Sequence, residues 1–188
     1  SNPRVTKGTA SAFGGLSDSL FNYGIPAACT ADGPSGLRME AKATQLPIGT
    51  ALSASWNPKL VRELYTMEGM ELCRNEVDTL LGPGVNIRHP LNGRNFEYYS
   101  EDPYLSGTMS VASTGGIKDG GAWGTIKHFA LNGQEAHRFK IDAVCSERAI
   151  REIYLKSFEM AVKEKTVMTL MTSYNPINGH WAASNYDL

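Results

Sequence analysis

The chain has 188 residues, 41% hydrophobic and 20% charged, with a formal net charge of −1. That is enough chain for one well-buried domain or part of a larger one. The balance gives no electrostatic reason to expect nucleic acid or an anionic membrane as partner, and no apolar run approaches the roughly 20 residues that span a bilayer.

The start, "SNPRVTKGTASAFGG", lacks a basic flank with an apolar stretch, so it reads as a processed or cloned end. "GIPAACTADGP" (24–34) predicts a strand that stops at a turn. In "WNPKLVRELYTMEGMELCRNE" (56–76), Asn57 is placed as an N-cap and Pro58 at the first helical position. Leu60, Val61, Leu64, Met67 and Leu72 give this helix its expected apolar stripe. "VDTLLGPGVNI" (77–87) reads as a second strand ending in a Gly-Pro-Gly turn.

Asp102 and Pro103 have the character of a cap and first residue of a helix running toward Lys118. "GTIKHFALN" (124–132) is the third strand candidate. Ser146 caps the clearest helix, "SERAIREIYLKSFEMAVKE". Its Ile150, Tyr154, Phe158 and Val162 recur every fourth residue, and Glu147–Arg151, Glu152–Lys156 and Glu159–Lys163 are spaced for i,i+4 pairing. "VMTLMTSYN" (167–175) is the fourth strand. "ASNYDL" (183–188) again carries helix-cap residues. Cys29, Cys73 and Cys145 form no CxxC pair and are expected as buried free thiols. They favour a reducing, cytoplasmic compartment, with a secreted or periplasmic protein whose signal has been removed as the alternative.

Strands alternating with helices at this spacing argue for an α/β fold with a parallel sheet and crossover helices. With no linker or low-complexity segment, residues 1–188 read as one domain. A (β/α)₈ barrel needs about 250 residues, so four or five units imply a partial barrel of the TIM type. The apolar strand edges of such a piece are expected to promote self-association.

Each predicted strand ends in polar residues: Asp32; Asn86 and Arg88; Lys127 and His128; Tyr174 and Asn175. Ligands of parallel α/β folds sit at these carboxyl ends. Turn formation alone explains Asp32 and Asn175, but not Lys127 beside His128. "GRNFEYYSEDP" (93–103) adds Arg94, Phe96, Glu97, Tyr98, Tyr99, Glu101 and Asp102 in one loop, too aromatic for a solvated segment and too charged for a core one.

Familiar chemistries find little support. "GPGVN" is not followed by Gly-Lys-Ser/Thr and no GxGxxG opens a helix, so a phosphate loop is disfavoured; no HExxH-like pair supports zinc, and there is no GxSxG elbow. No metal or cofactor is implied. What remains is Asp32, Arg94, Lys127 and His128, a carboxylate flanked by cationic donors and aromatic surfaces. Such a set suits a neutral polyol or sugar, whose buried hydroxyls each need a partner.

Taken together, "ADGPSGLR", "GRNFEYYSEDPYLSG", "GTIKHFALNGQE", "SERAIREIYLKSFEMAVKE" and "MTSYNPINGHWAASNYDL" resemble the N-terminal barrel domain of glycoside hydrolase family 3, on its β-glucosidase side. The resemblance runs from about residue 24 to the end. It implies that Asp32, Arg94 and the Lys127–His128 pair grip the glucosyl unit of a β-glucoside or gluco-oligosaccharide, with Tyr174 near the nucleophile. Glu97 would neutralise and orient Arg94 and Lys127. Arg38 would order Asp32 or sit in a surface ion pair, and Phe96, Tyr98 and Tyr99 would fill the space between loop and barrel. Gln134, Glu135 and Arg138 read as structural support.

The same resemblance implies a retaining, exo-acting enzyme. Its nucleophile, an aspartate in a Ser-Asp-Trp type segment, has no counterpart in the sequence and is expected beyond Leu188. Its acid/base is expected from an α/β sandwich domain. The alternative is a sugar-binding protein derived from the same barrel, and a third reading places an acid pair among Glu97, Glu101, Asp102 and Glu135. The branch acting on N-acetylglucosamine carries a "KHFPGHGD"-like loop. The loop here, "KHFALNGQE", disfavours that activity.

Overall fold

The computed structural model describes residues 2–188. A short strand β1 (Ser11–Gly14) and helix α1 (Asp18–Asn22) precede β2 (Ala27–Asp32). Next come α2 (Gly49–Ala54), α3 (Pro58–Arg74), β3 (Thr79–Leu81), α4 (Pro103–Asp119) and β4 (Trp123–Phe129). A helical stretch follows in three pieces: α5 (Glu147–Ala149), a π-turn (Ile150–Tyr154) and α6 (Lys156–Lys163). β5 (Thr169–Thr172), a small hairpin of β6 (Pro176–Ile177) and β7 (His180–Trp181), and a 3₁₀ turn (Ala182–Ser184) complete the order.

β2, β3, β4 and β5 run parallel in sequence order, and β1 adds antiparallel to β2. The sheet curls and carries its helices on one side, as half of a TIM-type barrel. The four predicted parallel strands are present. β1 was not anticipated, because four half-exposed residues with one large apolar side chain, Phe13, carry no period-2 signal.

Helix starts follow their capping chemistry. Asn57 Oδ1 accepts from Leu60 N at 3.1 Å, Asp102 Oδ1 from Leu105 N at 2.6 Å, and Ser146 Oγ from Ala149 N at 3.3 Å. Each satisfies a donor that the helix leaves orphaned, for about 1 kcal/mol.

The buried face of α3 differs from the expected stripe. Leu60 and Met67 are exposed, whereas Val61, Tyr65, Glu68, Gly69 and Leu72 face inward. Close packing on α4 sets this orientation. A Cβ on Gly69 would lie 2.5 Å from Ile117 O, and one on Gly116 would lie 2.4 Å from Arg62 O. The two helices meet backbone to backbone where both positions lack a side chain.

The last long helix also departs from its four-residue repeat. Leu155 N donates to Ile150 O, an i→i+5 bond that inserts one residue into the helical register. Burial therefore passes from Ile150 to Leu155, Phe158 and Ala161, and Val162 is exposed. Glu147–Arg151 and Glu159–Lys163 pair as spaced, but Glu152 meets Arg148 and Lys156 meets Glu159 instead. Of the three thiols only Cys29 is buried; Cys73 is exposed and Cys145 half-buried.

The main core lies between sheet and helices, built on Ala31, Val61, Leu72, Leu80, Val85, Ile117, Ile126 and Phe158. Full burial of each larger side chain is worth about 1.5–3 kcal/mol. β5 is bonded on one side, to β4, and its Leu170 and neighbouring Met168 are exposed.

Candidate functional site

The ends of β2 and β4 and two loops enclose an open cavity of ≈ 420 Å³. Asp32, the last residue of β2, and Lys127, near the end of β4, line its floor. Loop 33–38 with residues 43–45 forms one wall, and Arg94, Phe96 and Glu97 form the other. Thus Asp32, Arg38, Arg94, Glu97 and Lys127, far apart in sequence, share one space. Its position at the carboxyl ends of parallel strands is the usual ligand position for this architecture.

Glu97 organises the cluster. It is 3% exposed, accepts a hydrogen bond from Arg94 Nε, and lies 3.3 Å from Lys127 Nζ. A carboxylate this deep is tolerable because two cations compensate it. Burial disfavours the charge on Arg94, but the hydrogen bond and charge of Glu97 outweigh it and hold the guanidinium above its ordinary pKa. On Lys127 burial wins: its ammonium is held below the ordinary lysine range despite Glu97, with the Arg94 charge acting in the same direction as burial.

With Glu97 holding Arg94 through Nε, both Arg94 and Lys127 line the cavity, and Arg94 Nη1 lies 4.0 Å from Glu135 Oε1. Asp32 supplies the acceptor. Its Oδ2 pairs with Arg38 Nη2 at 3.0 Å, and among the described residues Oδ1 accepts no hydrogen bond. Arg38 is largely exposed, so it is both the surface ion pair and the neighbour of Asp32 that the sequence left open.

His128 lies behind the cavity and is not part of its lining. Its main chain is held on both sides by Asn86, which accepts from His128 N at 2.7 Å and donates to His128 O at 2.9 Å. Its Nδ1 meets Tyr98 Oη at 2.9 Å. Burial, reinforced by Arg94, Lys127 and Arg138, depresses the imidazole to about 2, so the ring is neutral at physiological pH. The Lys127–His128 and Phe129–Ala130 peptides are cis.

Tyr174 also lies outside the lining. It is 51% exposed and packs against Phe139 at 4.6 Å between ring centroids, with the Arg138 guanidinium over its face. Gln134 bonds Ala136 O, while Glu135 links Arg138, Asn132 and Arg94 and so braces the loop after β4.

The aromatic trio of the 93–103 loop divides. Tyr98 and Tyr99 are fully buried, and their hydroxyls meet Asn132 and Ser113. Burial pushes both phenols up, Tyr99 to about 12. Phe96 does not fill space between loop and barrel, since it is 55% exposed and lines the cavity. Reading the sequence also missed the wall at 33–45 and the clamping roles of Asn86 and Asn132. The available signal was an asparagine interrupting each of two apolar runs, "LLGPGVNI" and "FALN".

Residues 11–188 match the profile described as "Glycosyl hydrolase family 3 N terminal domain". A curated β-glucosidase of Ruminococcus albus is 55% identical over the whole of this chain and 20% of its own length. An exo-α-(1→6)-L-arabinopyranosidase of Bifidobacterium longum is 43% identical over 87% of this chain and 23% of its own. Among solved structures, a β-glucosidase from Paenibacillus barengoltzii superposes with a TM-score of 0.96 at 68% identity, over 100% of this chain and 21% of that one. The chain thus spans about a fifth of the length of these relatives. It belongs to glycosyl hydrolase family 3, within that family's N-terminal domain.

Proposed function

We propose that these residues form the glycosyl-gripping part of a retaining, exo-acting β-glucosidase. The observation that carries this is the burial of Glu97 between Arg94 and Lys127, which fixes two cationic donors opposite the open oxygen of Asp32. A carboxylate accepting from adjacent sugar hydroxyls, with charged donors to the others, satisfies a pyranose that has left water. The cluster is polar but nearly balanced in charge, which suits a neutral glycoside. Relatives named β-glucosidases put glucosides ahead of arabinopyranosides as the first substrates to try.

His128 acts in this reading through Tyr98 and the backbone of β4, setting the position of Lys127. Tyr174, two residues past β5, lies in this reading near the nucleophile that another segment contributes, as the family resemblance implies. A retaining glycosidase needs two carboxyls about 5–5.5 Å apart, one to attack and one to protonate. Glu97 is committed to two cations and Asp32 to one, so neither is placed to serve as acid/base. As the family resemblance implies, this reading assigns nucleophile and acid/base to residues outside 1–188, in further barrel units and an α/β sandwich domain.

The test is glucose binding to residues 1–188, followed by NMR, with release of nitrophenol from an aryl β-glucoside measured in parallel. The expected result is binding that Lys127→Ala weakens about 10- to 100-fold, as for loss of a charged hydrogen bond, and no nitrophenol release. Binding indifferent to Lys127→Ala would sink the clamp. Nitrophenol release abolished by Glu97→Gln would move the chemistry into this chain.

A further inference from the structure

Two side chains of α3 hold the loop that walls the cavity, and a third at helical spacing lies between them. Tyr65 Oη donates to Pro34 O at 2.6 Å. Glu71 accepts from Thr44 N through both oxygens at 3.0 Å, and from Thr44 Oγ1 at 3.2 Å. Between them sits Glu68, 3% exposed, with neither carboxyl oxygen hydrogen-bonded among the described residues. Residues three apart on a helix share a face, so all three meet the same partner, loop 33–46.

The loop is folded on itself over this face. Leu46 N donates to Ser35 O at 2.9 Å and Arg38 N to Asp32 O at 2.8 Å. A Cβ on Gly36 would fall 2.3 Å from Thr44 O, so the two limbs touch through backbone. Gly36 N, which faces Glu68, is already donating to Gly33 O at 3.1 Å. The outer surface of this loop lines the cavity at residues 33–38 and 43–45.

We propose that Glu68 is a positioning residue which keeps loop 33–46 seated against α3 while its carboxyl is neutral and releases it on ionisation. The consequence for ligand rests on the sugar-gripping reading above; the effect on the loop does not. The groups acting on Glu68 oppose its charge. Glu71 is a like charge one turn away on α3, and the buried phenols of Tyr65 (α3) and Tyr99 (the 93–103 loop) would share its field as anions. No cation is among them. Burial first, then Glu71, raises the carboxyl to about 8, with the Gly36 amide opposing weakly.

The sign follows from proton uptake. With the loop seated, Glu68 stays protonated to about pH 8; with the loop lifted, it is in water and titrates near the ordinary 4.5. Seating therefore binds a proton between those values. Loop opening grows about tenfold per pH unit across that window and levels off above it. A neutral isostere has no such slope.

The experiment is amide hydrogen exchange of residues 33–46 in the intact protein between pH 5 and 9, comparing wild type with Glu68→Gln. Glu68→Met is a second neutral variant in case the amide disturbs folding. The ratio of wild-type to variant exchange rates is expected to rise about tenfold per pH unit up to pH 8 and then flatten. A ratio independent of pH, with glucose bound normally, overturns the inference and leaves the sugar site standing. The expected ratio in a protein that binds no glucose at pH 6 supports the loop mechanism and removes its link to a sugar.

Discussion

Two buried carboxylates divide this molecule into contrasting regions. Glu97 and Glu68 are equally hidden, each 3% exposed. Glu97 sits in the 93–103 loop beside two cations, and Glu68 sits on the inner face of α3 where, among the described residues, no cation pairs with it. A buried acid can be kept by compensating its charge or by giving it up. The cavity floor takes the first route and holds its compensated charges at the edge of the cavity. The wall's foundation takes the second and makes part of the cavity dependent on a proton.

The largest effect expected is therefore at Glu97. Glu97→Ala leaves Lys127 and Arg94 as deeply placed cations without their common partner, which costs about 3–5 kcal/mol when one half of a buried pair is removed. Denaturant unfolding at pH 7 reads this directly. A loss below about 1 kcal/mol would mean that the pair is not compensating in the way described. At Glu68 the sign reverses. Because folding takes up a proton there between pH 4.5 and about 8, wild type should lose stability relative to Glu68→Gln as pH rises. The loss is about 1.4 kcal/mol per pH unit through that window. Parallel stability profiles for the two proteins would erase the contrast.

This contrast also marks what the sequence revealed. The parallel strands, the three capped helices and the Arg94, Glu97 and Lys127 cluster were legible, because caps and alternating elements are local signals and the motifs "GRNFEYY" and "GTIKHF" are dense in chemistry. The buried face of α3 was not. Tyr65, Glu68 and Gly69 point inward because Gly69 and Gly116 let α3 and α4 touch, and that pairing joins residues remote in sequence. In the last helix one i→i+5 bond displaced a repeat that looked regular. Phe96 was misjudged since an aromatic beside two others reads as core, yet only the loop's path decides which of the three faces the cavity.

Gly69→Ala tests the other half of the comparison, the apolar support behind the wall. The added methyl would lie 2.5 Å from Ile117 O and 3.0 Å from Gly120 Cα, both main-chain atoms that cannot swing aside. Overpacking of this kind costs about 1–3 kcal/mol. The shift of α3 should also loosen loop 33–46, which hangs from Tyr65 and Glu71. Faster amide exchange confined to 33–46 and α3 checks this. Unchanged exchange there with an equal loss of stability would show that the loop does not depend on the position of α3.

The smallest effect is expected at Arg38, where floor and wall meet. Its guanidinium pairs with Asp32 in an exposed position, and such pairs contribute about 0–1 kcal/mol. Asp32 is also placed by its main chain, through the Arg38 N bond to Asp32 O and the parallel register with Leu81 in β3. Neither needs the Arg38 side chain. Arg38→Ala should leave unfolding within about 1 kcal/mol of wild type and change glucose affinity by a few-fold at most. A loss of tenfold or more would make Arg38 a ligand contact in its own right, and the wall would then bind the sugar and not merely frame it.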